Sequence, residues 1–362
     1  MRAVVLVGGE GTRLRPLTLT TPKQMLPIVE HPMIERVLSH LADYGIDDAV
    51  LSLGYRPDAF INAYPDGTVA GIRISYAVEP TPLDTAGAIR FAADHVGIED
   101  TFVVVNGDVL TDLDISALIA FHHDHGSEAT ISLTPVDDPS VFGVVPTDAN
   151  GKVEAFIEKP PRDEIPTNLI NAGTYVLEPA VLDRIPEGRR VSIERDTFPQ
   201  LVEDGSLYAQ GSEVYWIDTG TPDAYLRAHA DLLLGRRTGP PAPDAVEDGS
   251  LGVGVWRIGA VEVHSDSVTR SLIGQGAQVN GATVDESVIG HGAIVEEGAS
   301  VKGSVLLPGA RIAASASVEG SIIGPDATIG QRCVIQPLSV IGADAVTASG
   351  TVVDGGRVPA EV

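Results

Sequence analysis

Between residue 2 and about residue 235, short β-branched runs alternate with stretches whose apolar residues return every three or four positions, the pattern of a layered α/β domain. The clearest predicted strands cover 3–7, 49–53, 72–78 and 102–105. A helix is predicted over 33–44, where Ile34, Val37, Leu38 and Leu41 share one face that can pack on the sheet. The pattern breaks at GRRTGPPAPDAVEDGS, 235–250, a run rich in Pro, Gly and charge that reads as a linker. The expected organisation is a first domain over 1–235, a linker over 236–250 and a second domain over 251–362.

In the second domain four segments align at a spacing of sixteen to seventeen residues: SLIGQGAQV from Ser271, SVIGHGAIV from Ser287, SVLLPGARI from Ser304 and SIIGPDATI from Ser321. Apolar positions recur every five or six residues, as in Ile273, Val279 and Val284, then Ile289, Val295 and Val301, then Leu306, Ile312 and Val318, then Ile323, Ile329 and Ile335. Three short faces per turn describe a triangular prism, with β-branched side chains stacked inward and Gly or Ala at the corners. A sandwich of short strands is the plainer reading, but a sandwich requires no phase-locked repeat. The hexapeptide pattern resembles that of left-handed parallel β-helix proteins. Such a prism has an open end to cap, so a homo-oligomer formed through this domain is expected.

A length of 362 residues fits two domains, and 43% hydrophobic with 20% charged residues is enough apolar material to fold without staples. Cys333 is the only cysteine, which excludes an intrachain disulfide and suits a reducing cytoplasm. The first apolar run ends at Gly8, far short of a signal peptide or membrane span, so neither export nor anchoring is expected. A net charge of −26 repels polyanions and argues against nucleic acid or an anionic membrane as partner. Any phosphate site must then be a local positive pocket. Two of the four lysines, Lys23 and Lys159, fall inside motifs.

GGEGTRLRP, 8–16, follows the first strand directly. A strand running into a glycine-rich turn lets backbone N–H groups approach a phosphate chain, and Thr12, Arg13 and Arg15 add donors and charge. An ordinary strand-to-helix turn is the alternative. The run is neither the GxGxxG of a dinucleotide fold nor a Walker loop, since Pro16 and the arginines interrupt a helix there. In TPKQMLPIVEHPMIE, 21–35, Lys23 lies between Pro22 and Pro27, which hold the local backbone, and an ammonium so placed can stabilise charge growing on an α-phosphate. VVVNGDV, 103–109, puts Asp108 at the carboxyl end of a buried strand, where open α/β sheets place ligands. Asp218 precedes a turn and a helix starting near Thr221. Two carboxylates from separate strands suit Mg²⁺, although either alone reads as a turn or cap residue.

The two motifs of residues 8–27 together resemble the signature of sugar-phosphate nucleotidyltransferases, GGxGTRLxPLT followed by PKxMxP. The resemblance implies a Rossmann-like nucleotidyltransferase domain with a mixed sheet, to which many members append a left-handed β-helix. It implies that Gly8, Gly9, Gly11, Thr12 and Arg13 bind the NTP, that Lys23 contacts the reacting phosphate, and that Asp108 and Asp218 are the metal pair for Mg²⁺. FIEKP, 156–160, and NAGTYVLEP, 171–179, resemble the family's sugar segments: Glu158 and Asn171 for the hydroxyls, Lys159 for the sugar phosphate and Gly143 for close backbone approach. A solvated turn is the plain reading of EKP alone. EPTPLDTAGAIR, 79–90, resembles the base-contacting segment, with Glu79 as an acceptor for the guanine edge and Gly87 allowing close approach. Many relatives carry Asn-Lys where this chain has Glu30 and His31, and glycine where it has Asp84.

The wording is closest to members that join mannose 1-phosphate to GTP, so the expected reaction is in-line attack by the sugar-phosphate oxygen on the NTP α-phosphorus. Three other readings stand beside it. The first is the same chemistry on glucose 1-phosphate with dTTP, UTP or ATP. The second is a bifunctional enzyme with an acyltransferase β-helix, for which His264 and His291 are the histidines at hand without an extended loop to build a site. The third is a non-catalytic nucleotide-sugar-binding regulatory subunit, against which Lys23, Asp108 and Asp218 speak. FHHDHG, 121–126, invites a zinc reading, but His122, His123 and His125 lack further ligands in sequence and read as a solvated helix end.

Overall fold

The strand Arg2–Leu6 (β1) lies inside a ten-stranded mixed sheet. Its neighbours are Asp48–Leu53 (β2) on one side and Phe102–Asn106 (β5) on the other, both parallel to it. Beyond β2 come Ile72–Val78 (β4), parallel, and the short Thr68–Val69 (β3). Beyond β5 the sheet turns antiparallel at Leu169–Leu177 (β9), which also pairs with Ala129–Pro135 (β6) and Gly143–Val144 (β7). Ile157–Glu158 (β8) and Leu207–Gly211 (β10) complete the sheet. Val4, Val50 and Val104 sit in register across the parallel strands and are buried, so the β-branched runs pair to make a sheet covered on both faces. This computed structural model describes residues 1–237 and 239–359; Thr238, in the expected linker, and 360–362, at the end of the expected β-helix, lie outside the described residues.

The helix over Met33–Asp43 (α1) buries Ile34, Val37, Leu38 and Leu41, the stripe that its spacing calls for. Asp84–Val96 (α2) enters with Asp84 at φ +61, a left-handed conformation that favours glycine. That is the physical sense of the glycine expected there. Ile115–His125 (α3) is capped by Asp114, whose carboxylate accepts the Ala117 N–H at 2.9 Å, and stops at Gly126 in the left-handed region. The histidines of its last turn are not all solvated. His122 is only 1% exposed, because it faces β6, bonding Thr130 through Nδ1 and Glu178 through Nε2. Burial pushes its imidazole below the usual range. His123 is exposed, and His125 stacks on Phe121.

From residue 256 the chain winds into three parallel sheets, the left-handed β-helix that the repeats imply. Ile273, Ile289, Leu306, Ile323 and Ile341 stack in register up one face. Every apolar position in the repeat reading is buried, with Val279, Val284, Ile312 and Ile329 fully so. The serines that open each repeat form a second, polar ladder: the N–H of Ser287, Ser304 and Ser321 donates to Ser271, Ser287 and Ser304 Oγ, each at 3.1 Å. The Ser271, Ser287 and Ser304 hydroxyls in turn donate to the carbonyls of Thr269, Asp285 and Lys302, so backbone groups satisfy each buried hydroxyl. Within the expected linker, Val246–Glu247 pairs antiparallel with Trp256–Arg257 at the start of the coil. Among the described residues no helix is long and apolar enough to cross a membrane.

The chain forms two compact units, Met1–Gly9 with Ile34–Ile217, and Glu10–Met33 with Asp218–Val362. Residues 10–33 and 218–235, part of the first stretch in sequence, thus group with the β-helix.

Candidate active site

In the first unit, Gly8 and Asp108 follow the carboxyl ends of the adjacent parallel strands β1 and β5, where Leu6 pairs with Asn106. The strands are sewn together past their ends: the Gly107 N–H donates to the Leu6 carbonyl at 2.9 Å, and a Cβ on Gly107 would stand 2.6 Å from the Val7 side chain. Gly9 has φ +94, and nothing lies within 4 Å of where a Cβ would stand on Gly8 or Gly9. Both are exposed, and neither has a side chain to cover the turn.

The sugar segments meet on β7 and β8. Gly143 pairs with Glu158, and a Cβ on Gly143 would stand 2.7 Å from the Phe156 ring and 3.2 Å from Glu158 Oε2. Lys159 has φ +51, and its Nζ lies 3.0 Å from Glu158 Oε1. Asn171 Nδ2 donates to the Tyr175 hydroxyl at 2.9 Å, while its Oδ1 accepts the Gly173 N–H at 2.9 Å. Sequence reasoning passed over Tyr175, a wholly buried phenol. Burial pushes it far above its ordinary range, with the charges of Glu194, Glu158 and Asp108 adding to the effect. The Asn171 amide, hydrogen-bonded to the hydroxyl, acts in the opposite direction. Tyr175 lies inside the NAGTYVLEP motif, but a register irregularity between Asn171 and Tyr175 spoils the alternation that would have flagged it.

The segment expected at the base is engaged within the fold. Glu79 accepts from the Ser52 hydroxyl at 3.1 Å and the Leu83 N–H at 3.0 Å, which shapes the turn ahead of α2. Gly87 is buried, and a Cβ there would stand 2.5 Å from the Arg189 carbonyl oxygen, so its missing side chain admits the chain's own backbone.

In the second unit Gly11 has φ +60, and a Cβ on it would stand 2.9 Å from Thr18 Cγ2 and 3.2 Å from Lys23 Cβ. The Thr18 hydroxyl donates to the Gly11 carbonyl at 2.9 Å. Gly11 therefore packs against the Lys23 stem, while Thr12 and Arg13 start a short 3-10 turn and stay exposed. Arg13 Nη2 and Asp218 Oδ1 each lie 2.9 Å from the point where a Cβ on Gly220 would stand, so a guanidinium and a carboxylate flank that glycine. The Gly220 N–H donates to Asp218 Oδ1 at 2.8 Å. Gly220 is the second residue that sequence reasoning left out, though the DTG run shows it. Thr221 caps Pro222–Leu233 (α4), accepting the Ala224 N–H at 3.2 Å. That helix holds the segment of Lys23: the buried Tyr225 hydroxyl donates to the Pro27 carbonyl, and His229 Nδ1 accepts the Val29 N–H at 3.3 Å.

The nucleotidyl transferase profile matches residues 2–234, and the GMPPB C-terminal domain profile matches 261–361. The chain is 42% identical over 300 residues to the mannose-1-phosphate guanylyltransferase of Mycobacterium tuberculosis, covering 82% of this chain and 81% of that one. It is 36% identical over 362 residues to mannose-1-phosphate guanylyltransferase 1 of Arabidopsis thaliana, covering 99% of this chain and 95% of that one. Among solved structures HddC from Yersinia pseudotuberculosis, also solved complexed with GMP-PN, aligns at a TM-score of 0.55 and 32% identity over 63% of this chain and 97% of that one. With a strand-borne glycine turn, a lysine held by flanking prolines and a profile match across the whole first stretch, the chain belongs to the nucleotidyl transferase family.

Proposed function

We propose that this enzyme transfers a guanylyl group from GTP to mannose 1-phosphate, giving GDP-mannose and pyrophosphate. The observation that carries the reading is the similarity to mannose-1-phosphate guanylyltransferases along almost the whole chain, β-helix included. The sugar 1-phosphate oxygen attacks the α-phosphorus of GTP in line. One P–O bond forms as the bond to the β-phosphate oxygen breaks, and pyrophosphate leaves with the electron pair. The nucleophile is already an anion, so no base is required.

The work left for the chain is positioning and charge neutralisation. Backbone N–H groups at Gly8, Gly9 and Gly11, with Thr12 and Arg13, bind the phosphates. Lys23 supports the charge that grows on the α-phosphoryl oxygens. Glu158 and Asn171 bond the sugar hydroxyls, Gly143 lets the sugar lie against backbone, and Lys159 takes its phosphate. Glu79, with a lone pair left on each oxygen, accepts from the guanine edge, and Gly87 shapes that segment through its packing on Arg189. Nucleotidyltransferases of this kind generally use a divalent metal, and Asp108 and Asp218 offer the hard carboxylate oxygens that suit Mg²⁺. Bound there, the ion neutralises triphosphate charge.

The test is pyrophosphate release from GTP, dTTP, UTP and ATP, each with mannose or glucose 1-phosphate, in Mg²⁺ and in EDTA. GTP with mannose 1-phosphate is expected to give the highest kcat/KM, and only with metal. A faster reaction of glucose 1-phosphate with dTTP, UTP or ATP would reassign the substrates. Inactivity with every pair would return the chain to a regulatory role.

A further inference from the structure

Sequence alone leaves the histidines of α3 without a third ligand, and the fold supplies one. Glu178 directly follows β9 and meets the last turn of α3, so that one ligand atom from each of His122, His123 and Glu178 lies within 4.8 Å of the other two. His122 Nε2 is 3.0 Å from Glu178 Oε1. A tetrahedral ion with bonds of about 2.0 Å holds its ligand atoms roughly 3.3 Å apart, so this edge of a coordination polyhedron is nearly formed. His123, on the outer side of the turn, closes the third corner by rotating an exposed ring.

We propose that His122, His123 and Glu178 form a binding site for a divalent transition-metal ion of the Zn²⁺ type, separate from the reaction site.

The surroundings suit such a site. A metal on His122 Nε2 requires the proton on Nδ1, and there the Thr130 hydroxyl lies at 2.9 Å and the Ser127 hydroxyl at 3.0 Å. Hydroxyls both donate and accept, so Nδ1 is satisfied in either tautomer, with or without metal. The Thr101 hydroxyl donates to Glu178 Oε1 at 2.7 Å and fixes the carboxylate. Glu178 is 34% exposed on its side chain, which leaves an approach from solvent. Two imidazole nitrogens and one oxygen select a transition metal over Mg²⁺. The site also lies apart from Asp108: Thr101 enters β5 and Asp108 follows its far end, a strand of about 16 Å at about 3.3 Å per residue. A bound ion clamps the end of α3 to the end of β9.

The experiment is calorimetric titration of the full-length protein, stripped with EDTA and returned to buffer with excess Mg²⁺, using ZnCl₂ as the probe. Thermal melts are run alongside. One Zn²⁺ per chain is expected to bind despite the Mg²⁺ and to raise the melting temperature. His123→Ala, a change at an exposed position that leaves the fold intact, and Glu178→Gln are each expected to weaken binding at least tenfold and abolish the thermal shift. Absence of stoichiometric binding to the wild type, or equal affinity in wild type and His123→Ala, overturns the site.

Discussion

The Glu30 carboxylate accepts the backbone N–H of His291 at 2.9 Å. Its two oxygens lie 2.7 and 3.1 Å from where Cβ atoms would stand on Gly274 and Gly290, glycines at equivalent places in successive coils of the β-helix. The residue that departs from the family's Asn-Lys is thus seated in a notch that the repeat leaves open. His31, the other departure, bonds Asp244 at 2.8 Å. Both residues anchor the end of segment 10–33, which carries Gly11, Arg13 and Lys23. Burial holds the Glu30 carboxyl above its usual range, partly offset by the His291 N–H and by the His291 and His31 imidazoles, while Asp244 pushes the same way as burial.

A raised carboxyl favours the protonated form in the folded state. The stabilisation is therefore complete below the ordinary glutamate range and is lost as pH rises through the raised value. Glu30→Gln keeps an oxygen for the His291 N–H without a charge to desolvate. Its melting temperature is expected to exceed wild type by a few degrees at pH 7–8. The two proteins should converge as the pH falls towards 4, and a variant less stable than wild type at neutral pH would show that the ionised carboxylate is favourable there.

Lys23→Ala removes the ammonium of a half-buried side chain whose stem packs on Gly11. Turnover is expected to fall about 10²- to 10³-fold, the scale for a charge-stabilising donor, with the melting temperature close to wild type. Steady-state pyrophosphate release and a thermal melt on the same sample check both halves.

Gly143→Ala places a methyl 2.7 Å from the Phe156 ring and 3.2 Å from Glu158 Oε2. Overpacking of this kind destabilises by about 1–3 kcal/mol, and the shifted Glu158 should raise KM for the hexose 1-phosphate while KM for GTP stays put. Equal changes in both constants would remove Glu158 from the sugar site.

Asp108→Asn and Asp218→Asn each take one carboxylate from the proposed ion-holding pair. Each is expected to need far more Mg²⁺ for half-maximal rate and to lose at least tenfold in turnover. A Mg²⁺ titration of initial rates reads this, and an unchanged midpoint for either variant would take that residue out of the pair.

Ile312 is fully buried in the prism, between Val295 and Ile329 in register. Ile312→Ala should destabilise the β-helix by about 2–5 kcal/mol, measured by denaturant unfolding, since neighbouring coils cannot collapse into the gap.

Much of this protein is legible in one dimension because its strongest signals are local or periodic. The prism follows from a sixteen- to seventeen-residue period, since a fixed repeat of inward β-branched side chains has few ways to close. The glycine turn and the proline-held Lys23 are contiguous motifs, and α1 shows its buried face by spacing alone. Long-range meetings carry no such signal. Glu178 joins His122 across 56 residues, and Glu30 meets His291 across 261. Nothing in the local spacing of those residues encodes the approach. It arises because burying the apolar faces brings segments distant in sequence together, and polar groups carried inward must then find whichever partner the packing has placed beside them.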